Sequence, residues 1–158
     1  MSTIVVLEKK ISIESEFLFK NLKEHLFDKL KKMYENECTK DNGYFLKINR
    51  ILKIKDNFIS SNCENIFNIE FEAETLKPEI GKNIKGKVCM IFSGGIFINV
   101  ENIMKVLIPE SNLKDYKFDQ TETCFKSKNN IINKDDDITI IISGVKYSKK
   151  KFSCFGRL

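Results

Sequence analysis

The sequence predicts an α+β chain of two small domains, residues 1–80 and 81–158, and three observations predict it. One helical apolar stripe runs from Glu16 to about Asn36, and nearly everything after it alternates in the manner of strands. The stretch Lys77-Pro78-Glu79-Ile80-Gly81 interrupts that pattern with one of only two prolines. The two sides also differ in charge: residues 1–80 hold 13 Lys and Arg against 14 Asp and Glu, net −1, whereas residues 81–158 hold 14 against 8, net +6.

In the first domain Ile4 to Ile13 reads as a strand, and Ser15, followed by acidic and apolar residues, reads as a helix N-cap. Phe19, Leu22, Leu26, Leu30 and Met33 then recur at spacings of three and four, so one helix face packs inward. His25, the single histidine, has no second His or Cys at ligand spacing and reads as a surface or core-edge residue. Asp41-Asn42-Gly43 is a turn between Asn36–Lys40 and a half-buried strand from Tyr44 to Ile54, in which Phe45, Lys47 and Asn49 alternate with Leu46, Ile48 and Arg50. Lys55 to Asn65 reads as a polar loop, and Ile66 to Leu76 as a strand with Ile69, Phe71 and Ala73 opposing Asn68, Glu70, Glu72 and Glu74. The domain is strand, helix and three strands.

After Gly81 every signal is strand. Ile84, Gly86, Val88, Met90 and Phe92 share one face, with Lys85, Lys87, Cys89 and Ile91 on the other; past Gly94-Gly95, Ile96, Ile98 and Val100 oppose Phe97 and Asn99. The glycine pair lets the chain reverse or bulge. Further strands are expected at Ile103–Ile108, Asp137–Val145 and Lys150–Phe155. Five short strands in ~75 residues fit a closed barrel of the OB type, which presents an outer face to oligonucleotides. There Phe97, with Lys87 and Lys105 on neighbouring strands, has the makings of a stacking ring beside phosphate-neutralising charge. A second basic stretch runs through Lys146, Tyr147 and Lys149–Lys151.

Enzyme classes find no support. There is no GxxxxGK[ST] loop, "SGGIF" lies between strands rather than opening a helix, and nothing around Ser93 or any cysteine resembles a nucleophile turn. Asp135-Asp136-Asp137 lacks the glycine and distal glutamate of a calcium loop, so no metal or cofactor is expected. The five cysteines are scattered singly, as reduced core thiols are. With no ~20-residue apolar run and no signal-peptide pattern, the expectation is a soluble intracellular protein. Abundant Ile, Lys and Asn, with Arg only at 50 and 157, reflects AT-rich codon usage.

Taken in order, these pieces resemble one family, the larger stalk subunit of DNA-dependent RNA polymerases, which comprises the seventh subunit of eukaryotic RNA polymerase II and its counterpart in the archaeal enzyme. "LEKKISIESEFLFKNLKEHLFDKLKKMYENECTKDNGYFLKINRI" is similar to the family's opening strand, helix and turn. "FEAETLKPEIGKNIKGKVCMIFSGGIFINV" resembles its crossing segment and barrel entry, "VLIPESNLKDYKF" its Ile-Pro turn, and "IINKDDDITIIISGVKYSKKKFSCFGRL" its last pair of strands. Two departures stand out: the sequence stops at Gly156-Arg157-Leu158 where other members continue with a short tail, and "KDNFISSNCEN" lacks the glycines common there.

The resemblance implies a non-catalytic subunit acting in transcription initiation and elongation. The first domain, as a tip domain, would dock on the polymerase core near the clamp through Glu14, Phe17, Phe19, Phe58 and Ile59. The barrel would meet nascent single-stranded RNA through Phe97, Lys87, Lys105, Lys85, Lys146 and Tyr147. Implied partners are the polymerase core subunits and a small helical second stalk subunit, with no membrane. Codon usage and the short tail suit a viral homologue, placed in a viral factory or virion; a cellular one belongs in the nucleus or cytoplasm. The alternative is a free-standing OB-fold RNA-binding protein of translation or RNA decay.

Overall fold

A computed structural model describes residues 2–18 and 20–158. The chain falls into two compact units, Ser2–Lys77 and Pro78–Leu158.

The first unit contains β1 (Thr3–Ile13), a 3-10 turn (Ser15–Phe17), α1 (Leu22–Tyr34), β2 (Cys38–Thr39), β3 (Gly43–Ile59) and β4 (Asn65–Leu76). The strands form an antiparallel sheet in the order β1-β4-β3-β2. The helix covers one face: Leu26 and Leu30 are fully buried in one cluster with Ile11, Ile48, Ile51, Ile69, Phe71 and Ala73. Each of the Leu, Ile and Phe side chains contributes about 1.5–3 kcal/mol by leaving water. The Tyr34 ring closes the cluster, 4.6 Å from Phe45 and 5.4 Å from Phe71.

The helix starts later than its stripe indicates. Ser15 does not cap it; its hydroxyl accepts a hydrogen bond from Asn65 Nδ2 at 3.3 Å, at the start of β4. Asn21, in the left-handed region at φ 54°, precedes the first helical residue. Met33 points outward, and Phe27 and Tyr34 complete the inward face with Leu22. Phe19 lies outside the described residues.

β3 departs most from expectation. It does not alternate, because four bulges, at Phe45/Lys47, Ile48/Arg50, Ile51/Lys53 and Ile54/Asp56, each insert one residue against β4. Every third residue therefore returns to the helix side, and Phe45, Ile48 and Ile51 are buried together. On the open face the same bulges set cations beside the β4 carboxylates: Arg50 Nη2 lies 3.5 Å from Glu72, and Lys55 joins Glu70 at 3.1 Å and Glu8. The strand runs on to Ile59, so the expected loop over 55–65 shrinks to residues 60–64.

The second unit contains β5 (Asn83–Phe92), β6 (Gly95–Val100) and β7 (Met104–Pro109), then β8 (Lys117–Asp119), β9 (Cys124–Lys126), β10 (Ile131–Ile132), β11 (Asp137–Ser148) and β12 (Lys151–Arg157). Five of these close into a barrel in the order β11-β12-β7-β6-β5. Antiparallel pairing of β11 with β5 and parallel pairing of β12 with β7 complete the circuit, so none of the five is left with an open edge. Val88, Ile96, Ile98, Val100, Val106, Ile108 and Ile140 fill the interior with no exposed surface. The predicted five-stranded barrel is therefore present. The sheet β10-β9-β8, inserted between β7 and β11, has no counterpart in the sequence pattern: strands of two or three residues are too short to register as a periodicity.

Candidate nucleic-acid interface and docking tip

The outer wall of β5, β6 and β7 owes its composition to one extra residue. Val88 pairs with Ile98 and Met90 with Phe97, so Cys89 is a bulge residue with no partner of its own in the ladder. Its thiol donates to the Phe97 carbonyl at 3.4 Å. An inserted residue inverts the alternation beyond it. The strict two-residue period places Met90 and Phe92 on the face of Val88; instead Ile91 is buried, and Met90 and Phe92 are 50% and 37% exposed.

Phe92 thereby joins Phe97. Their rings stack with centroids 5.7 Å apart and 22° between planes. The glycines that follow make the arrangement feasible. A Cβ on Gly94 would stand 2.6 Å from the Phe92 ring, and one on Gly95, at φ +148°, would stand 2.2 Å from the Ile108 carbonyl oxygen.

The lysines form the adjacent row. Lys87 pairs with Asn99 and Asn99 with Lys105, whereas Phe97 pairs with Met90 and Leu107 one step along the strands. Phe97 is thus beside the lysine row rather than between the two lysines. Asn99 Nδ2 donates to Asn102 Oδ1 at 2.9 Å, which orients the amide. Lys85, exposed two residues before Lys87, borders with Lys87, Asn99 and Thr139 a groove of about 740 Å³.

The last hairpin separates the remaining pair. Lys146 is exposed opposite Ser153, while Tyr147 lies opposite Phe152, its ring 5.0 Å from that buried side chain. Successive residues on a strand face opposite ways, so Lys146 belongs to the outer wall and Tyr147 to the inner side. Met90 and Phe92 are the outer-wall residues that sequence reasoning misplaced. The available signal was the spacing of Val88 and Ile91, three apart rather than two.

A second polar cluster sits on the inserted sheet. Candidate ligand atoms of Asp119, Glu122 and Cys124 lie within 4.8 Å of one another, but Lys126 Nζ stands 2.9 Å from Asp119 and 2.7 Å from Glu122. That ammonium holds the Asp119 carboxyl below its ordinary range, helped by the Glu122 backbone N–H, and burial pushes the Cys124 thiol up. These carboxylates already hold a cation, so the cluster reads as a structural ion-pair network.

At the far end of the first unit's sheet, Ile13 and Ile59 both pair with Asn65. This register brings Glu14 and the 3-10 turn ending at Phe17 to the same end as Phe58 and Ile59. Ile59 is 71% exposed and Phe58 42%, with Lys10 Nζ 5.5 Å from the Phe58 ring centroid. Ser60 organises the turn, its hydroxyl accepting from the Asn62 and Glu64 amides at 3.3 and 3.2 Å.

Residues 8–86 match the family described as the SHS2 domain found in the N terminus of Rpb7p/Rpc25p/MJ0397, and residues 77–154 match the S1 RNA binding domain. The chain is 21% identical over 159 residues to DNA-directed RNA polymerase II subunit RPB7 of Glycine max, covering 98% of this chain and 90% of the relative. It is 22% identical over 160 residues to DNA-directed RNA polymerase II subunit 7 of Arabidopsis thaliana, with the same coverage. Among solved structures, apo RNase R of Mycoplasma genitalium aligns with 49% of this chain and 13% of its own, at TM-score 0.40 and 23% identity. GSP13 of Bacillus subtilis aligns with 51% of this chain and 57% of its own, at TM-score 0.37 and 22% identity. Neither structural likeness bears on function.

Proposed function

The chain belongs to the family of Rpb7p, Rpc25p and MJ0397, and from that premise we propose that it is a non-catalytic stalk subunit of a DNA-dependent RNA polymerase. In this reading the first domain docks on the polymerase core near the clamp, and the barrel contacts nascent RNA during initiation and elongation. The observation that carries it is that both halves match, in order, over almost the whole of two RNA polymerase II subunits. The same coverage weighs against a free-standing RNA-binding module, for which the first domain has no assigned task.

The division of labour follows the chemistry of each surface. Phe97 and Phe92 offer a stacking platform, and Lys87, Lys105 and Lys85 offer phosphate-neutralising charge beside it. Lys146 extends that charge, and Tyr147 supports the hairpin from its inner side through Phe152. Glu14, Phe17, Phe58 and Ile59 form the docking tip; Phe19 is assigned to it by sequence alone. A small helical second stalk subunit is a further expected partner.

The test is affinity purification of the tagged full chain from its natural source, followed by identification of the bound chains. Recovery of the large polymerase subunits is expected, and their absence, with the tagged protein intact, would overturn the assignment.

A further inference from the structure

The first unit's sheet has two borders of opposite character. β2 pairs with β3 only at Gly43 and Tyr44, so most of β3 forms one border, and it is bulged four times and carries exposed Lys47, Arg50, Lys53 and Lys55. Bulges and charge are the means by which an edge strand is kept from pairing with another chain. β1 forms the other border, and among the described residues it pairs with β4 alone. It meets β4 from Thr3 to Ile13 without a register shift, and its first stretch, Thr3-Ile4-Val5-Val6-Leu7, contains no charge, proline or glycine. All but Leu7 in that stretch are β-branched, the side chains that suit a strand best. Ile4 and Val6 are 64% and 54% exposed.

A flat, uncharged edge is a template for one more strand. The residues of the edge point to a second copy of this chain as the source of that strand. Antiparallel pairing about a two-fold axis places one residue opposite its own copy. With Val5 at that centre, Ile4 faces the second copy's Val6 on the open side of the sheet. On the helix side, where Val5 and Leu7 pack against the core, Thr3 faces the second copy's Leu7. Other centres set charge against apolar groups or against like charge. On Val6, Ile4 meets Glu8; on Leu7, Val6 meets Glu8 and Ile4 meets Lys10; on Glu8, Lys9 or Lys10, a charge meets itself.

We propose that the protein self-associates through β1 into a closed two-fold dimer, with Thr3–Leu7 of the two copies joining their sheets into one. Growth ends at that point, because the border left on each side is the bulged and charged β3. The paired segment lies at the Thr75 end of β4, whereas Phe58 and Ile59 lie at its Asn65 end, so the dimer leaves those two residues uncovered.

Light scattering of the full chain after size exclusion tests this. The mass is expected to rise from 18.4 kDa toward twice that value as concentration is raised. Ile4→Lys combined with Val6→Lys should hold it at 18.4 kDa. Within one chain the new ammonium groups face Glu74 and Glu72, which preserves the fold, but across the dimer they face one another. A bismaleimide crosslinker locates the axis. Val5→Cys should be joined to its copy well above the background set by wild type, whose Cys63 is exposed. The two copies of Lys10→Cys would stand ~34 Å apart and should not exceed that background. A mass of 18.4 kDa at every concentration, a dimer that survives both lysines, or linking at position 10 as strong as at position 5 would each overturn the proposal.

Discussion

Phe92 and Phe97 stack on the outside of the barrel only because Cys89 is an extra residue in β5. The pair is therefore a product of backbone pairing, and its two members should act as one unit on a bound base.

Phe97→Ala is expected to cost ~1–3 kcal/mol in single-stranded RNA binding, and Phe92→Ala somewhat less. Because the rings touch, the double variant should lose less than the sum of the single losses. Fluorescence titration of the four proteins with one oligonucleotide measures that coupling; full additivity would mean the rings do not form a common platform.

Lys87→Ala and Lys105→Ala should each flatten the dependence of log affinity on log salt by about 0.7–1, with little change in base preference. Titrations at several salt concentrations read the slope directly. An unchanged slope in both would move the phosphates off this row.

Gly95→Ala tests the hairpin beneath the aromatic pair. At φ +148° and with a Cβ 2.2 Å from the Ile108 oxygen, alanine meets both strain and collision, so a loss of ~1–3 kcal/mol or more is expected in denaturant unfolding. Gly81→Ala, with nothing within 4 Å of the new Cβ, meets only the backbone strain of its φ +88° and should cost less.

The inserted sheet should be acid-sensitive. Asp119 sits below its ordinary value of 3.8, chiefly through the Lys126 ammonium, so it adds stability that is present above that value and lost as pH falls through the lower folded one. Thermal melts of wild type and Asp119→Asn should differ well above the ordinary value of 3.8 and draw together as the pH falls below it. A gap that persists in acid would point to packing instead of charge.

At the docking tip, Ile59→Asp should leave unfolding free energy within about 0.5 kcal/mol, since the side chain is 71% exposed, yet should weaken co-purification with polymerase subunits. Undiminished recovery would remove Ile59 from the interface.

Much of this molecule was legible in the residues themselves. Leu26 and Leu30 lie where the helical stripe puts them, and the core residues of β6 and β7 follow strict alternation because nothing interrupts those strands. Where the period is not two, local alternation no longer identifies the buried face. β3 carries Phe45, Ile48 and Ile51 inward at intervals of three, and β5 changes phase at Cys89; in both, the partner strand decides which residue is skipped. Ser15 has the appearance of a helix cap until Asn65, fifty positions away, takes its hydroxyl.

The sequence alone therefore determined the order of the helix and the longer strands, the part of the barrel interior that β6 and β7 supply, the charge on its outer wall and the resemblance to polymerase stalk subunits, all of which rest on local pattern and composition. Only the tertiary structure decided that Phe92 joins Phe97, that Met90 turns outward, and that Tyr147 turns inward. Those outcomes depend on pairing register, a relation between distant segments in which one inserted residue sends every later side chain to the opposite face.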